Sequence, residues 1–346
     1  MRRINMIIAV LLCAVTGAAQ DITEGVSYYL PKTALRFVIL VEKTSYTPGD
    51  FSIYSERYLK TAVSADASTS FSILSYKLET YGVADKEKTF VARMDQKHSI
   101  TSIDKDDSGI LLAVNATAAA PKEHVAFVPA KKAKPLVPRD YMTQDILAAG
   151  STAKMAELTA LEIYDIRESR NLLNKGQADF MPQDGEQLRI MLRNLDTQER
   201  ALSQLFLGRT EKDTFEVELT YIPAGEVKKE VLFRFSSKLG IVDSDDLSGI
   251  PYYISIEDYH ITPGLNVGDD GGKNKEGSGV FVNLPGKIKV TLSQGNRSLC
   301  NYDLYAAQFG RTEELGTSLF SRKYTTTLRL SPVTGNAEHI ETVPLR

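Results

Sequence analysis

The residues best suited to metal or acid–base chemistry are the histidines, since imidazole both ligates metals and titrates near neutral pH. There are four, at His98, His124, His260 and His339, each more than twenty residues from the next. No HExxH or other paired-histidine spacing can be drawn from them, so each reads as a surface or strand histidine. No Gly-x-Ser-x-Gly elbow occurs. Ser151-Thr152-Ala153-Lys154 has the Ser-x-x-Lys form, but Ser151 stands where a helix needs its cap. Cys300 falls between Leu299 and Asn301 in a strand-like run, with no neighbouring base to generate a thiolate, and reads as a buried structural cysteine.

Two groups of carboxylates remain. Gly268 to Gly279 holds Asp269 and Asp270, candidate ligands for calcium, yet positions 1, 3 and 5 of a calcium loop would be Asp269, Gly271 and Lys273. The glycines favour a mobile loop between strands, and Val282 stands where a dinucleotide loop needs its third glycine. The second group is Glu162 and Asp165, with Ser169. At ~100° per residue these project into the arc of a helix also occupied by Leu158, Ile166, Leu172 and Leu173. One reading is a catalytic acid/base pair of the kind hydrolases use. The other, which is favoured, is an ion-pair seam in which both carboxylates are buried against a β-domain and neutralised by Arg170 or another arginine.

The ends and the composition bound what these residues can serve. Arg2 and Arg3 precede an apolar run from Met6 to Val15 and the small residues Thr16-Gly17-Ala18-Ala19, the pattern of a secretory signal cleaved near Ala19. Cys13 follows Leu12 inside that run rather than a small residue at a cleavage point, so ordinary cleavage is expected to remove it and no intrachain disulfide is expected. Removing Arg2 and Arg3 from 41 basic residues leaves 39 against 44 acidic ones. That balance argues against nucleic acid as a partner, which needs clustered lysines and arginines. The one basic cluster, Lys131-Lys132-Ala133-Lys134, sits between Pro129 and Pro135 and reads as a solvated linker. No segment is long and apolar enough for a transmembrane helix in the mature chain, and no cofactor is implied.

The elements follow from hydrophobic period. Phe37 to Val41 is continuously apolar, as in a strand covered on both faces, and Thr47-Pro48-Gly49-Asp50 is a turn. Phe71–Thr80, Phe90–Met94 and Ile110–Val114 read as further short strands. Three helices are expected next: one capped by Ser151 and running to about Asn174, one opened by Asp184, and one opened by Asp196 and closed by Gly208. From Phe215 the period is two, in Phe215, Val217, Leu219 and Tyr221 and again in Ile288, Val290 and Leu292, with turns at Gly295 and Gly335. The expected class is α+β, predominantly β: two antiparallel β-domains, the C-terminal one a sandwich, joined by a three-helix block. The expected divisions are a signal peptide at 1–19, a β-rich domain at 20–140, the helices at 141–209 and the C-terminal β-domain at 210–346.

Several blocks carry a resemblance. Gly25-Val26-Ser27-Tyr28-Tyr29-Leu30-Pro31-Lys32-Thr33-Ala34-Leu35, Val41 to Phe51, Tyr54 to Leu59, Glu162 to Arg170, Met181 to Glu186, Gln308-Phe309-Gly310 and Ser318-Leu319-Phe320 resemble domain-of-unknown-function family 4831, secreted proteins of Gram-negative anaerobes. The resemblance spans most of the mature chain. It implies export and common ancestry as one unit, and carries over no catalytic residue. The expected function is therefore a non-enzymatic periplasmic or surface binding or assembly module, with an envelope protein or a glycan as partner. The alternatives are a hydrolase acting on glycan or peptide through Glu162 and Asp165, and a carbohydrate-binding protein, for which the many tyrosines leave room.

Overall fold

The computed structural model describes residues 25–94, 99–118, 122–261, 279–315 and 319–344. The expected signal peptide with Cys13, and the loop carboxylates Asp269 and Asp270, lie outside them. The chain is α+β and predominantly β. Its strands are β1 (Gly25–Thr47), β2 (Ser68–Arg93), β3 (Ile103–Lys105), β4 (Leu111–Val114), β5 (Arg209–Tyr221), β6 (Val227–Ser236), β7 (Gly240–Val242), β8 (Ile250–Asp258), β9 (Val280–Gln294), β10 (Arg297–Leu315), β11 (Tyr324–Leu330) and β12 (Ala337–Pro344). They form three antiparallel sheets, ordered β2-β1-β5, β10-β9-β8-β6-β7 and β12-β11-β4-β3.

The apolar run in β1 explains the first sheet. Leu35, Phe37, Ile39 and Val41 are fully buried on one face, while Val38 on the other is only 7% exposed. A strand apolar on both faces belongs in the middle of a sheet. Accordingly β1 pairs with β2 on one side and with β5 on the other, Val38 opposite Lys77 and Glu218. The inward face packs on Phe233, Ile254, Ile288, Val290 and Leu292 of the five-stranded sheet. There is thus a sandwich, but one of its two sheets takes strands from both sides of the helical block. The pairing of β1 with β5, and of β4 with β11, runs across the boundaries expected at 140 and 209.

A second core lies at the other end of the long strands, where Tyr28, Leu30, Val280 and Val282 meet Leu111, Phe320, Leu328 and Leu330. Both hairpins bend between the two cores. In the first, residues 85–88 of β2 are looped out between the pairs Tyr29↔Thr89 and Pro31↔Ala84. In the second, residues 307–310 of β10 bulge between Ala306↔Gly286 and Arg311↔Leu284. Bulges of this kind turn a strand sharply while leaving the flanking ladder intact. Gly310 sits at the crossing: a Cβ there would lie 1.7 Å from Leu284 O, so only glycine fits. Gln308, beside it, accepts from Thr33 N (3.0 Å) and donates to Thr33 O and Pro223 O (2.9 and 3.0 Å). Asn283 donates from Nδ2 to Pro31 O and Thr334 O, both at 3.0 Å, and is itself buried.

The helices are α1 (Ser55–Leu59), α2 (Gln144–Leu147), α3 (Thr152–Lys175) and α4 (Gly185–Leu207). Ser151 and Asp184 cap α3 and α4 by accepting from Lys154 N (3.2 Å) and Gln187 N (2.7 Å). The expected break at Asp196 does not occur. No glycine or proline stands between Leu188 and Leu207, and the stripe Leu188, Leu192, Leu195, Leu202, Phe206 stays in phase, so one helix replaces two. Asp196 instead pairs with Arg200, one turn on, at 3.0 Å. The helical hairpin docks through Phe51, whose ring meets Phe206 edge-on at 5.5 Å. Phe51 N also donates to Leu205 O (2.7 Å), one of the carbonyls a helix C-terminus leaves unpaired. Gly49 permits this approach, since a Cβ there would lie 2.2 Å from Leu205 O. No helix among the described residues is long and apolar enough to cross a membrane.

Candidate functional site

The outward face of the β2-β1-β5 sheet carries the charged half of each alternating strand. Lys77, Glu79 and Tyr81 of β2, Arg36 of β1, and Glu216 and Glu218 of β5 share it, because their neighbours Leu78, Phe37, Val217 and Leu219 face the core. Residues 122–137, which form no helix or strand, lie across this face. His124 comes from that strap. Its side chain is only 9% exposed and is held on both ring nitrogens: Nδ1 is 2.8 Å from Glu79 Oε2, and Nε2 is 2.5 Å from Glu216 Oε1 and 3.7 Å from Glu218 Oε1. Phe127 N donates to the other Glu216 oxygen at 3.2 Å. Farther along, Lys132 pairs with Asp213 of β5.

The electrostatics follow from these contacts. The carboxylates of Glu216 and Glu79 push the His124 pKa up, favouring the imidazolium. Lys77 Nζ, 2.6 Å from Glu79 Oε1, and then His124 hold the Glu79 carboxyl below its ordinary range. Arg36 lies between the outer strands, its Nε 3.3 Å from Glu218 Oε2 and its guanidinium carbon 4.6 Å from the centre of the Tyr81 ring.

Beside this cluster opens a cleft of about 1080 Å³ between the outer face of the three-stranded sheet and residues of the β12-β11-β4-β3 sheet and the turn between β11 and β12. Arg36, Tyr81, His124 and Glu218 line one side, Arg329 and Glu338 the other. Among the described residues, His124, Glu216 and Glu218 form a group able to share a cation, with one ligand atom from each lying within 4.8 Å of the others.

The residues singled out from sequence fare differently. Glu162 is half-buried and Asp165 exposed. The expected seam does not form, because the buried stripe of α3 is Ala156, Thr159, Ala160, Ile163, Ile166 and Leu173, rotated from the arc assumed. Alanine at 156 and 160 lets that side approach α4 closely. Arg167 and Arg170 instead clasp Glu199 of α4, at 2.6 and 2.5 Å. Cys300 is half-buried on β10, and burial raises its thiol pKa, in keeping with an unreactive cysteine. The lysine cluster lies in an exposed segment without helix or strand, as expected of a solvated linker, with Lys132 paired to Asp213 at the surface, whereas the surface reading of His124 is corrected by its two carboxylates. The signal that could have found the cluster was the set of outward glutamates on β5, Glu216 and Glu218, but their partner lies 92 residues away in sequence.

A family model described as "Domain of unknown function (DUF4831)" matches residues 24–338. No curated protein and no solved structure is detectably similar.

Proposed function

For a chain that belongs to the DUF4831 family over nearly its whole length, we propose the role of an exported, non-enzymatic binding or assembly module that takes its partner in the cleft beside His124. The cleft carries this reading. It is large enough for a ligand of several residues or sugars, and its walls offer Arg36, Arg329, Glu218 and Glu338 around the Tyr81 ring. Groups of both charges with a tyrosine among them suit a polar partner, an envelope protein segment or a glycan. Export is supported by the basic start, apolar run and small residues through Ala19.

Affinity capture from native envelope, comparing the parent with Arg329→Glu and Tyr81→Ala, tests the binding reading. The cleft predicts a partner retained by the parent and lost by both variants. Retention by all three forms excludes the cleft as the binding surface, and cleavage of a retained glycan or peptide that depends on Glu162 and Asp165 favours the hydrolase alternative. N-terminal sequencing of the secreted protein tests export: a chain that starts at Gln20 supports it, and one that keeps Met1 refutes it.

A further inference from the structure

The structure assigns, we propose, a binding site for a divalent transition-metal ion, Zn²⁺ by its donor chemistry, to His124 Nε2, Glu216 and Glu218. Zinc accepts imidazole nitrogen and carboxylate oxygen at about 2.0–2.2 Å, which sets ligand atoms that share it roughly 3–4 Å apart. Here Nε2 lies 2.5 Å from Glu216 Oε1 and 3.7 Å from Glu218 Oε1. A bound ion therefore needs the first pair to separate by about 1 Å, a side-chain rotation that leaves the strands in place. Binding displaces to solvent the Nε2 proton that Glu216 and Glu79 favour in the metal-free cluster, and the resulting neutral imidazole with two carboxylates matches the charge of a divalent ion. The nitrogen donor favours zinc over calcium or magnesium, which prefer oxygen throughout.

The back of the imidazole supplies an independent argument. Metal-bound histidines characteristically donate their other ring N–H to a carboxylate, which fixes the tautomer and the ring plane. Glu79 Oε2 stands 2.8 Å from Nδ1 in that position, and Lys77 holds the second Glu79 oxygen at 2.6 Å. Glu79 is then a positioning residue and not a ligand. Arg36, 3.3 Å from Glu218 Oε2, competes with the ion for that carboxylate and weakens the site, while Glu218 Oε1 remains turned toward His124. Three protein ligands leave a coordination position open, and because His124 and Glu218 line the cleft, that position faces it. The ion would also fasten the strap to β5. The site stands whatever partner the cleft takes.

The test uses the full mature chain, free of any affinity tag and stripped with a chelator. It is titrated with Zn²⁺ by calorimetry and with Co²⁺ by visible absorption. The expected result is one Zn²⁺ per chain, undisturbed by millimolar Ca²⁺ or Mg²⁺. His124→Ala and Glu216→Gln should each weaken binding more than tenfold, and Glu79→Gln by roughly 10–100-fold with a changed Co²⁺ spectrum. His260→Ala and His339→Ala should leave it unchanged. Circular dichroism confirms that each variant is folded, and Glu216→Gln, nearly isosteric and on the outer face of a strand, stands in if His124→Ala is not. A parent that binds no Zn²⁺, or binding that survives both His124→Ala and Glu216→Gln, overturns the proposal.

Discussion

Replacing Asn283 by alanine removes the side chain that ties the bend of the first hairpin to the turn before β12. Its Nδ2 satisfies two carbonyls, Pro31 O and Thr334 O, in a site where Asn283 is 6% exposed. Each carbonyl left unpaired in a buried place costs about 1–3 kcal/mol. A water admitted to the vacated volume recovers part of that, so the variant should lose about 2–4 kcal/mol. Asn283→Asp is the more discriminating change, since it keeps the shape and reverses the hydrogen bonding. An ionised aspartate would face two carbonyl oxygens, whereas the protonated acid can still donate to one of them. Burial against those oxygens raises the folded-state pKa of the introduced acid. Its contribution is therefore most favourable at low pH and is lost as pH rises through that value. Urea unfolding of parent and variants at pH 4 and pH 7 measures both effects. Asn283→Asp should be more costly than its pH 4 value by over ~1 kcal/mol at pH 7, the equivalent of about one pKa unit. An alanine variant within about 0.5 kcal/mol of the parent, or an aspartate variant equally costly at both pH values, would refute the reasoning.

Three further outcomes are expected. Phe206→Ala empties a fully buried position against Phe51 and should cost about 3–5 kcal/mol in denaturant unfolding; a loss under ~1 kcal/mol would mean that the hairpin is not docked as described. Glu162→Ala and Asp165→Ala should melt with the parent, within about 0.5 kcal/mol. Glu199→Ala, which strands Arg167 and Arg170, should cost about 1–2 kcal/mol, and the reverse ranking would restore the seam inferred from sequence. Finally, the Cys300 thiol, raised by burial, should react with iodoacetamide at pH 8 more slowly than an exposed cysteine and faster as pH rises, and a rate equal to that of a free thiol contradicts its placement.

What could be read from sequence, and what could not, divides by range. Ser151, Asp184 and Gly208 announce helix ends because a cap acts on backbone groups within a turn of itself. The alternation of Phe215 to Tyr221 announces β5 for the same local reason. Three pieces of the fold needed knowledge of distant segments. The sheet that joins β1 to β5 depends on a pairing across the helical block. The buried side of α3 depends on α4, which selects the side of Ala156 and Ala160 rather than that of Leu161 and Leu172. The cluster at His124 depends on a strap that reads as loop and on carboxylates 45 and 92 residues away. An outward glutamate on a strand looks the same in sequence whether it faces water or a histidine.

The central place of β1 has a kinetic consequence. Its two neighbours lie on very different parts of the chain, β2 directly after it and β5 beyond both long helices, so Leu35 must find Tyr221. Its inner face then waits for Ile288, Val290 and Leu292, and Tyr28 waits for Phe281, 253 residues later. Long loops must close before these contacts return any stabilisation, which makes folding slow. Until β9 has joined β6 and β8, the apolar run from Phe37 to Val41 is only partly covered, and a chain cut short before that point would present it to other chains as an aggregation edge. The helical hairpin, whose contacts are local, can form early and wait. The molecule is therefore expected to fold late and nearly all at once, with the β-cores closing only after almost the whole chain is present.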